Sequence, residues 1–389
     1  MPTINYFLPF QDQSAQPLAR YTNHWFFTAP IEGVDMETGL FPEDPAEQAK
    51  HAFANLKNLL TQANLTTDAI GHIMVWQKDR DYRYPLNEQW EAMFPEKNNR
   101  PARHVVLRDW QSDALIKLEV IAIGGESRQT IIDMPGAALG GGANKGFIPL
   151  AAVLGDVLFS GAIAGWNVLD GTEPDDPQIQ TNHTFANIES LLKIAGFTMQ
   201  DIAHMFVWQR DLAFKTFTHN CWRKYFTSQN KQPVRHTIEV ALPLNLATQL
   251  EIIAIRNQVA STSDISTQHQ KNNLPSSVTK NNVLFTAAIS GLSNDKKRLP
   301  SNINDEISTV FKNTLAILNK AKITAENIAH IYVWKLSNAH DAIIEQQWNN
   351  VWPNSRQSPI RHDVITKLAD GAQLKLEVTA IIPVINEGA

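Results

Sequence analysis

The chain has 389 residues, 43% apolar and 19% charged, with 18 Gly and 20 Pro. Those proportions suit an ordinary soluble globular protein and exclude wholesale disorder, collagen and coiled coil. Thirty-four Lys and Arg against 39 Asp and Glu leave a formal charge of −5. Such a balance gives no support to a general electrostatic grip on nucleic acid or on an anionic membrane. The single cysteine, Cys221, excludes an intrachain disulfide, a Cys-based zinc site and a CxxC redox pair. A reducing, cytoplasmic setting is the expectation. The start, Met1-Pro2-Thr3-Ile4-Asn5, lacks the basic and apolar stretches of a signal peptide.

In chain order the sequence states one unit three times. Ile70-Gly-His-Ile-Met-Val-Trp76 returns as Ile202-Ala-His-Met-Phe-Val-Trp208 and as Ile328-Ala-His-Ile-Tyr-Val-Trp334. Asn55, Trp76, Trp90, Arg103 and Glu119 each recur 132 residues later, and again 126 residues after that. Repeats must be read before anything else, because they decide the architecture. We place them at 1–127, 128–258 and 259–389.

Each unit opens with a pair of short strands: Trp25 to Ile31, Val157 to Ile163, Val283 to Ile289. A helix follows, with Ala49, Ala52, Phe53, Leu56, Leu59 and Leu60 at helical spacing in the first copy. Then come the strand ending in Val-Trp and a second helix with Trp90, Trp222 or Trp348. A hairpin closes the unit, 103–107 with 115–123 in the first copy, 235–242 with 248–255 in the second and 361–368 with 373–382 in the third. This order predicts an α+β fold, helices on one face of a largely antiparallel sheet. The apolar run 147–169 contains Gly155-Asp156 between strand-sized blocks, and predicts a turn between buried strands rather than a membrane helix. The joins, 124–146 with Gly140-Gly141-Gly142 and the Ser/Thr/Gln/Asn-rich 257–273, are expected to be a linker and a disordered or surface segment. The glycine run lacks the order of a phosphate-binding loop.

The constellation with most chemistry is the Arg of each closing hairpin and the Glu sixteen residues on. Paired strands would set the two opposite or one diagonal step apart. Either they form a structural bridge, or the Arg fork captures a ligand carboxylate while the Glu handles a proton or a water. His72, His204 and His330, and His104, His236 and His362, have no metal-ligand spacing and read as core or interface residues. The Trp triplets read as packing anchors, and Cys221 as a helical residue beside Trp222 in one copy of three.

Pro101-Ala-Arg103, followed by an apolar segment ending in Leu118-Glu119-Val-Ile-Ala-Ile123, resembles the motif of the RidA family of enamine/imine deaminases, also called endoribonuclease L-PSP-like proteins. The resemblance covers about 100 residues in each of the three copies. Members of that family are homotrimers of chorismate-mutase-like subunits with ligand clefts between them. The resemblance therefore implies three tandem domains closing an intramolecular pseudo-trimer, active as a single chain. It implies substrate-binding Arg103, Arg235 and Arg361, a water-positioning catalytic role for Glu119, Glu251 and Glu377, and binding positions at Thr28, Ser160, Thr286 and Asn87. It further implies hydrolytic deamination of small carboxylate-bearing enamines or imines, with no metal or organic cofactor and no nucleic-acid or membrane partner. The alternatives are a non-catalytic binder of 2-oxo acid-like metabolites, and a ribonuclease, which the acidic charge disfavours. The family Cys two residues after the Arg is Val105, Thr237 or Asp363 here, and the family Asn survives as Asn87 but becomes His219 and Glu345. Phe147 is the nearest match to a family Tyr. The three clefts are thus expected to be unequal. Asp363 and Glu345 should make the Arg361 site the weakest carboxylate binder.

Overall fold

The structure is a computed structural model that describes residues 4–7, 16–134, 147–167, 170–228, 232–243, 245–256, 261–263, 274–293 and 298–383. In the first repeat β1 (Ile4–Phe7), β2 (Ala19–Thr22), β3 (Trp25–Thr28) and β4 (Ile31–Glu32) precede helix α1 (Pro45–Gln62). β5 (Ile70–Gln77), α2 (Arg83–Met93), β6 (Ala102–Leu107) and β7 (Ile116–Ile123) complete it. The second repeat runs β8 (Arg128–Ile131), β9 (Ala151–Leu154), β10 (Val157–Ser160), β11 (Ile163–Ala164), α3 (Pro177–Ile194), β12 (Ile202–Gln209), α4 (Lys215–Tyr225), β13 (Val234–Glu239) and β14 (Thr248–Ile255). The third runs β15 (Ser261–Ser263), β16 (Ser277–Lys280), β17 (Val283–Thr286), β18 (Ile289–Ser290), α5 (Ile303–Lys320), β19 (Ile328–Lys335), α6 (Asp341–Val351), β20 (Ile360–Ile365) and β21 (Leu374–Ile381).

The order β1-β2-β3-β7-β5-β6, with β4 also on β7, recurs in all three sheets. This corrects the closing hairpin: β6 and β7 are not neighbours, because β5 lies between them, parallel to β6 and antiparallel to β7. All eight residues of β5 are buried, and a strand apolar on both faces belongs at the centre of a sheet, with a partner on each side. The expected opening pair is β3 with β4, and β1 and β2 extend the sheet outward from β3. Within the expected linker 124–146, Arg128–Ile131 pairs with β9, and within 257–273 Ser261–Ser263 pairs with β16. The exposed edge of a sheet offers unpaired backbone groups that such segments can satisfy. Residues 135–146 with the glycine run, and 257–260 and 264–273, lie outside the described residues. The Gly155-Asp156 turn joins β9 to β10 as expected, with Gly155 at φ 55. Among the described residues no helix is long and apolar enough to cross a membrane.

The long helices begin alike. Asp44 and Asp176 cap α1 and α3 ahead of a first-turn proline, and Asn302 caps α5. The recurring Asn then has a structural task. Asn55, Asn187 and Asn313 each donate to two backbone carbonyls flanking Gly33, Gly165 and Gly291 respectively. A Cβ at Gly33 would sit 2.2 Å from the Gln48 carbonyl oxygen, so helix and chain approach too closely there for any side chain.

The opposite faces of the three sheets meet at the centre. Phe27, Phe159 and Phe285 share one apolar cluster with Ile123, Ile255 and Ile381. A cation from each repeat then ties it to the one before. Arg128 donates to the Asp68, Ile70 and Arg100 carbonyls, and Lys280 to that of Gln200 at 2.5 Å. Arg20 closes the ring between repeats 1 and 3 through the carbonyls of Ile328 and Glu326. Arg20→Met should cost about 2–4 kcal/mol, since charge-assisted hydrogen bonds are worth about 1.5–3 each and do not add fully. A lower urea midpoint at unchanged slope, with faster amide exchange at the start of β19, is the expected readout. A loss within the roughly 0.5 kcal/mol typical of surface substitutions would contradict the closure.

Candidate functional site

Sheet register sets the faces. Met74 on β5 stands between Glu119 on β7 and His104 on β6, while Ile73 stands between Val120 and Arg103. Aligned residues share a face and successive residues alternate. Glu119 and His104 therefore point to the centre of the molecule, and Arg103 points to the helices. The same holds for Glu251 and Arg235, and for Glu377 and Arg361. The Arg–Glu pair of one repeat is consequently neither a bridge nor one wall of a cleft; the intervening strand separates them.

Each Glu instead meets two histidines of the preceding repeat. Glu251 lies 2.7 Å from His104 Nδ1 and 3.4 Å from His72 Nε2. Glu377 lies 2.5 Å from His204 Nε2 and 2.8 Å from His236 Nδ1. Glu119 lies 2.6 Å from His330 Nε2 and 2.9 Å from His362 Nδ1. The indoles of Trp76 and Trp334 also donate to Glu119 and Glu377, at 3.1 and 2.8 Å. Burial alone would raise these carboxyls, but the imidazoles override it. Glu119 and Glu251 fall below their usual range, and Glu377 falls to about 2. Three ionised carboxylates thus surround the axis. Between them, with His72, His204 and His330, is a cavity of about 40 Å³, room for roughly three waters at about 10–15 Å³ each. Tyr332 enters it where the other repeats place Met74 and Phe206, and burial and the carboxylates hold its phenol well above the usual value. Sequence reasoning took the histidines as core or interface residues but missed their partners. The signal was six buried polar side chains in strict triple register, each of which needs a partner.

The arginines occupy separate cradles. Arg103 is 5% exposed; its guanidinium lies 4.5 Å from the Trp90 ring and 5.8 Å from that of Phe147, contributed by repeat 2. Nη2 donates to Asn87 Oδ1 at 2.8 Å. Nε and Nη1 are buried without a partner among the described residues. Burial, then the nearby Arg100 charge, lowers Arg103 to about 9. The facing wall belongs to repeat 2, where a Cβ at Gly161 would stand 3.0 Å from the Arg103 carbonyl oxygen. Ser160 accepts from the amide of Ile252, the residue after Glu251, and donates to the Gly161 carbonyl. Arg103 and Asn87 thus lie where repeat 1 meets Phe147 and Gly161 of repeat 2, whereas Glu251, against His104, lies on the central face of the sheet. Thr28 and Thr286 accept from Val120 and Val378 as Ser160 does from Ile252.

The pattern of the endoribonuclease L-PSP family matches residues 14–124 and 146–257, more than half of the chain. The chain belongs to this family. A RutC family protein of Sulfurisphaera tokodaii is 32% identical over 79 residues, 20% of this chain and 62% of that protein's length. The 2-iminobutanoate/2-iminopropanoate deaminase of Escherichia coli K12 is 28% identical over 105 residues, 26% of this chain and 82% of that one. A solved chorismatase superposes with a TM-score of 0.56 at 9% identity, over 80% of this chain and 93% of its own. That is a likeness of fold alone, and it extends over three repeats in one chain.

Within this endoribonuclease L-PSP chain the three cradles differ. Arg235 lies 4.6 Å from the Trp222 ring, has Nη1 buried without a partner among the described residues, and is lowered by burial to about 10. Arg361 is occupied. Asp363 takes Nε and Nη2 at 2.5 and 2.8 Å, and Glu345 meets Nη1 at 2.7 Å. Burial would lower this guanidinium, yet the two carboxylates raise it. An incoming carboxylate must displace charges already paired in a half-dry site. Asp363→Val should therefore strengthen carboxylate binding at that cleft by roughly ten- to a hundredfold, the worth of one charged hydrogen-bond partner. Calorimetry on a variant keeping only Arg361 checks it; unchanged affinity would mean that Asp363 does not compete.

The carboxylate–histidine brackets also set a pH dependence. Burial holds His72 and His236 below their usual 6.5, so as pH falls through that value the unfolded chain takes up protons first. The three glutamates, lowered from 4.5, add stability present above that value and lost beneath it. Both act in one direction. Urea midpoints should be flat at neutral pH, decline from about 6.5 and steepen below about 4.5. A midpoint constant down to pH 4.5 would contradict the brackets.

Proposed function

We propose that the chain is a hydrolytic deaminase of small carboxylate-bearing enamines and imines. The observation that supports it most is the Arg103 guanidinium, buried and, among the described residues, lacking partners for two of its nitrogens. Desolvated donors of that kind favour a ligand carboxylate, whose oxygens accept charge-assisted hydrogen bonds. In this reading Arg103 and Asn87 hold the substrate carboxylate and Phe147 covers its apolar part. Glu251, kept ionised by His104 and His72, positions a water and accepts its proton. Attack on the C=N carbon gives a carbinolamine; the nitrogen leaves as ammonia and a 2-oxo acid remains. The resemblance to the Escherichia coli deaminase points the same way. Glu377 would serve the cleft between repeats 2 and 3, and Glu119 that between repeats 3 and 1.

A second reading, binding without turnover, draws on one fact: both oxygens of each Glu already face histidines. Ammonia release from 2-iminopropanoate, generated in situ, separates the two. The deaminase reading expects release, with kcat/KM reduced roughly thirty- to a thousandfold in Arg103→Ala, equivalent to about 2–4 kcal/mol of charged hydrogen bonding. Carboxylate binding with no ammonia release would favour the binding protein. Unchanged turnover in a folded Arg103→Ala, Arg235→Ala double variant would remove the arginines from the reaction.

A further inference from the structure

Where repeat 3 meets repeat 1, a cavity of about 230 Å³ lies between Arg108, Trp110 and Lys117 on one side and Lys335, Asp363 and Val364 on the other. It adjoins the Arg361 cradle through Asp363, but Arg361, Glu119 and Thr28 are not among the described residues that line it. The residues that build it differ among the copies. Trp110 is Leu242 in repeat 2 and Leu368 in repeat 3, and both leucines are buried in an apolar cluster against which Trp110 is only half-buried. Arg108 gives way to Val240 and Thr366, Lys117 to Gln249 and Lys375, Glu32 to Ala164 and Ser290. Lys335 is Gln77 in repeat 1 and Gln209 in repeat 2. Of the three equivalent sets of positions, this one alone sets an indole beside three cations.

The wall is held from several directions. The Trp110 indole donates to the Ala114 carbonyl at 2.7 Å, and its ring lies 5.5 Å from the Lys78 ammonium and 4.7 Å from that of Lys117. Arg108 reaches both other repeats: its Nη2 donates to the Glu239 carbonyl and, at 3.0 Å, to the Thr366 hydroxyl. Most charges in the wall are matched. Lys117 lies 2.7 Å from Glu32, and Lys335 lies 3.0 Å from Asp363. Arg108 is the exception. Among the described residues no carboxylate lies within ion-pair distance of it, and its Nε has no hydrogen-bond partner. Glu239, the acid whose charge it feels, is paired with Lys367 at 3.3 Å.

We propose that this cavity is a ligand site for a monocarboxylate that bears a single flat ring. Its size sets the body of the ligand. The space is half as large again as the roughly 150 Å³ that holds benzene, which admits one ring and a carboxylate but not two fused rings. Trp76, Trp110 and Val364 line it and give the ring an apolar surface, with the offset or edge contacts that aromatic groups favour. Arg108 supplies the unmatched charge, with Lys117 beside it, and both offer charge-assisted donors to a carboxylate. A dianion is the poorer fit. It would find one unmatched cation, and a second would have to leave Glu32 or Asp363, so that a paired charge is stranded. The site shares no residue with the Arg103 cradle and does not depend on turnover there.

The test is calorimetric titration with benzoate of the full chain carrying Arg103→Ala and Arg235→Ala, which takes the other two arginine cradles out of play. One equivalent should bind. Adding Arg108→Met should weaken it roughly tenfold or more, the worth of a charged hydrogen-bond partner. Adding Trp110→Leu, the side chain that the other repeats carry, should weaken it roughly three- to tenfold. Because Arg108 also ties the repeats together, Trp110→Leu decides the matter if Arg108→Met lowers the urea midpoint. Acetate, which lacks the ring, and benzyl alcohol, which lacks the charge, should each bind roughly tenfold more weakly or worse, and 2-naphthoate should not bind. Three results overturn the proposal: no benzoate bound, an affinity unchanged in a folded Arg108→Met or Trp110→Leu chain, or inorganic phosphate displacing benzoate at equal concentration.

Discussion

No repeat supplies the imidazoles that hold its own buried glutamate. Glu119, Glu251 and Glu377 each project to the molecular centre, and their imidazole partners come from a different repeat. An ionised carboxylate left dry and unpaired would cost several kcal/mol, so a separated repeat would have to protonate or hydrate that position. The cyclic supply of histidines, 1 to 2, 2 to 3 and 3 to 1, therefore makes the ring a condition of each repeat's stability. The clefts exist because the repeats are held in that ring. The outer cations, Arg20, Arg128 and Lys280, reinforce it through backbone carbonyls whose identity the neighbouring side chains do not affect.

Joining three copies in one chain frees each cleft to change separately, since a substitution in one copy is not repeated in the others. The arginines show the consequence. Arg103 keeps an Asn partner and two buried donors that have no partner among the described residues, Arg235 stands beside His219, and Arg361 is neutralised by Asp363 and Glu345. Lysines diverge in the same manner: Lys117 retains Glu32, while Lys375 faces a serine. The shared scaffold, with α1, α3 and α5 clasped through Asn55, Asn187 and Asn313, carries these changes without altering its register.

Much of this was legible in the sequence, and the reasons it stopped are physical. The triple register of Asn, Trp, Arg and Glu announced three repeats, and Gly155-Asp156 announced its turn, because both are local signals. The place of β5 between β6 and β7 was not legible, since sheet order is a long-range property and two apolar segments joined by a short loop mimic a hairpin. That single error put Arg103 and Glu119 on neighbouring strands when they occupy opposite faces. Asp363 was readable as a competitor for Arg361 because residues two apart on a strand share a face. Pairings such as His362 with Glu119, which join opposite ends of the chain, leave no local trace.

The account stands or falls on unequal clefts around one carboxylate-braced ring. A crystal structure of the chain soaked with pyruvate reads all three clefts at once. It should show the ligand carboxylate on Arg103 and on Arg235, and Arg361 still bound to Asp363 and Glu345. Equal occupancy of the three arginines, or glutamates detached from their histidines, would contradict it.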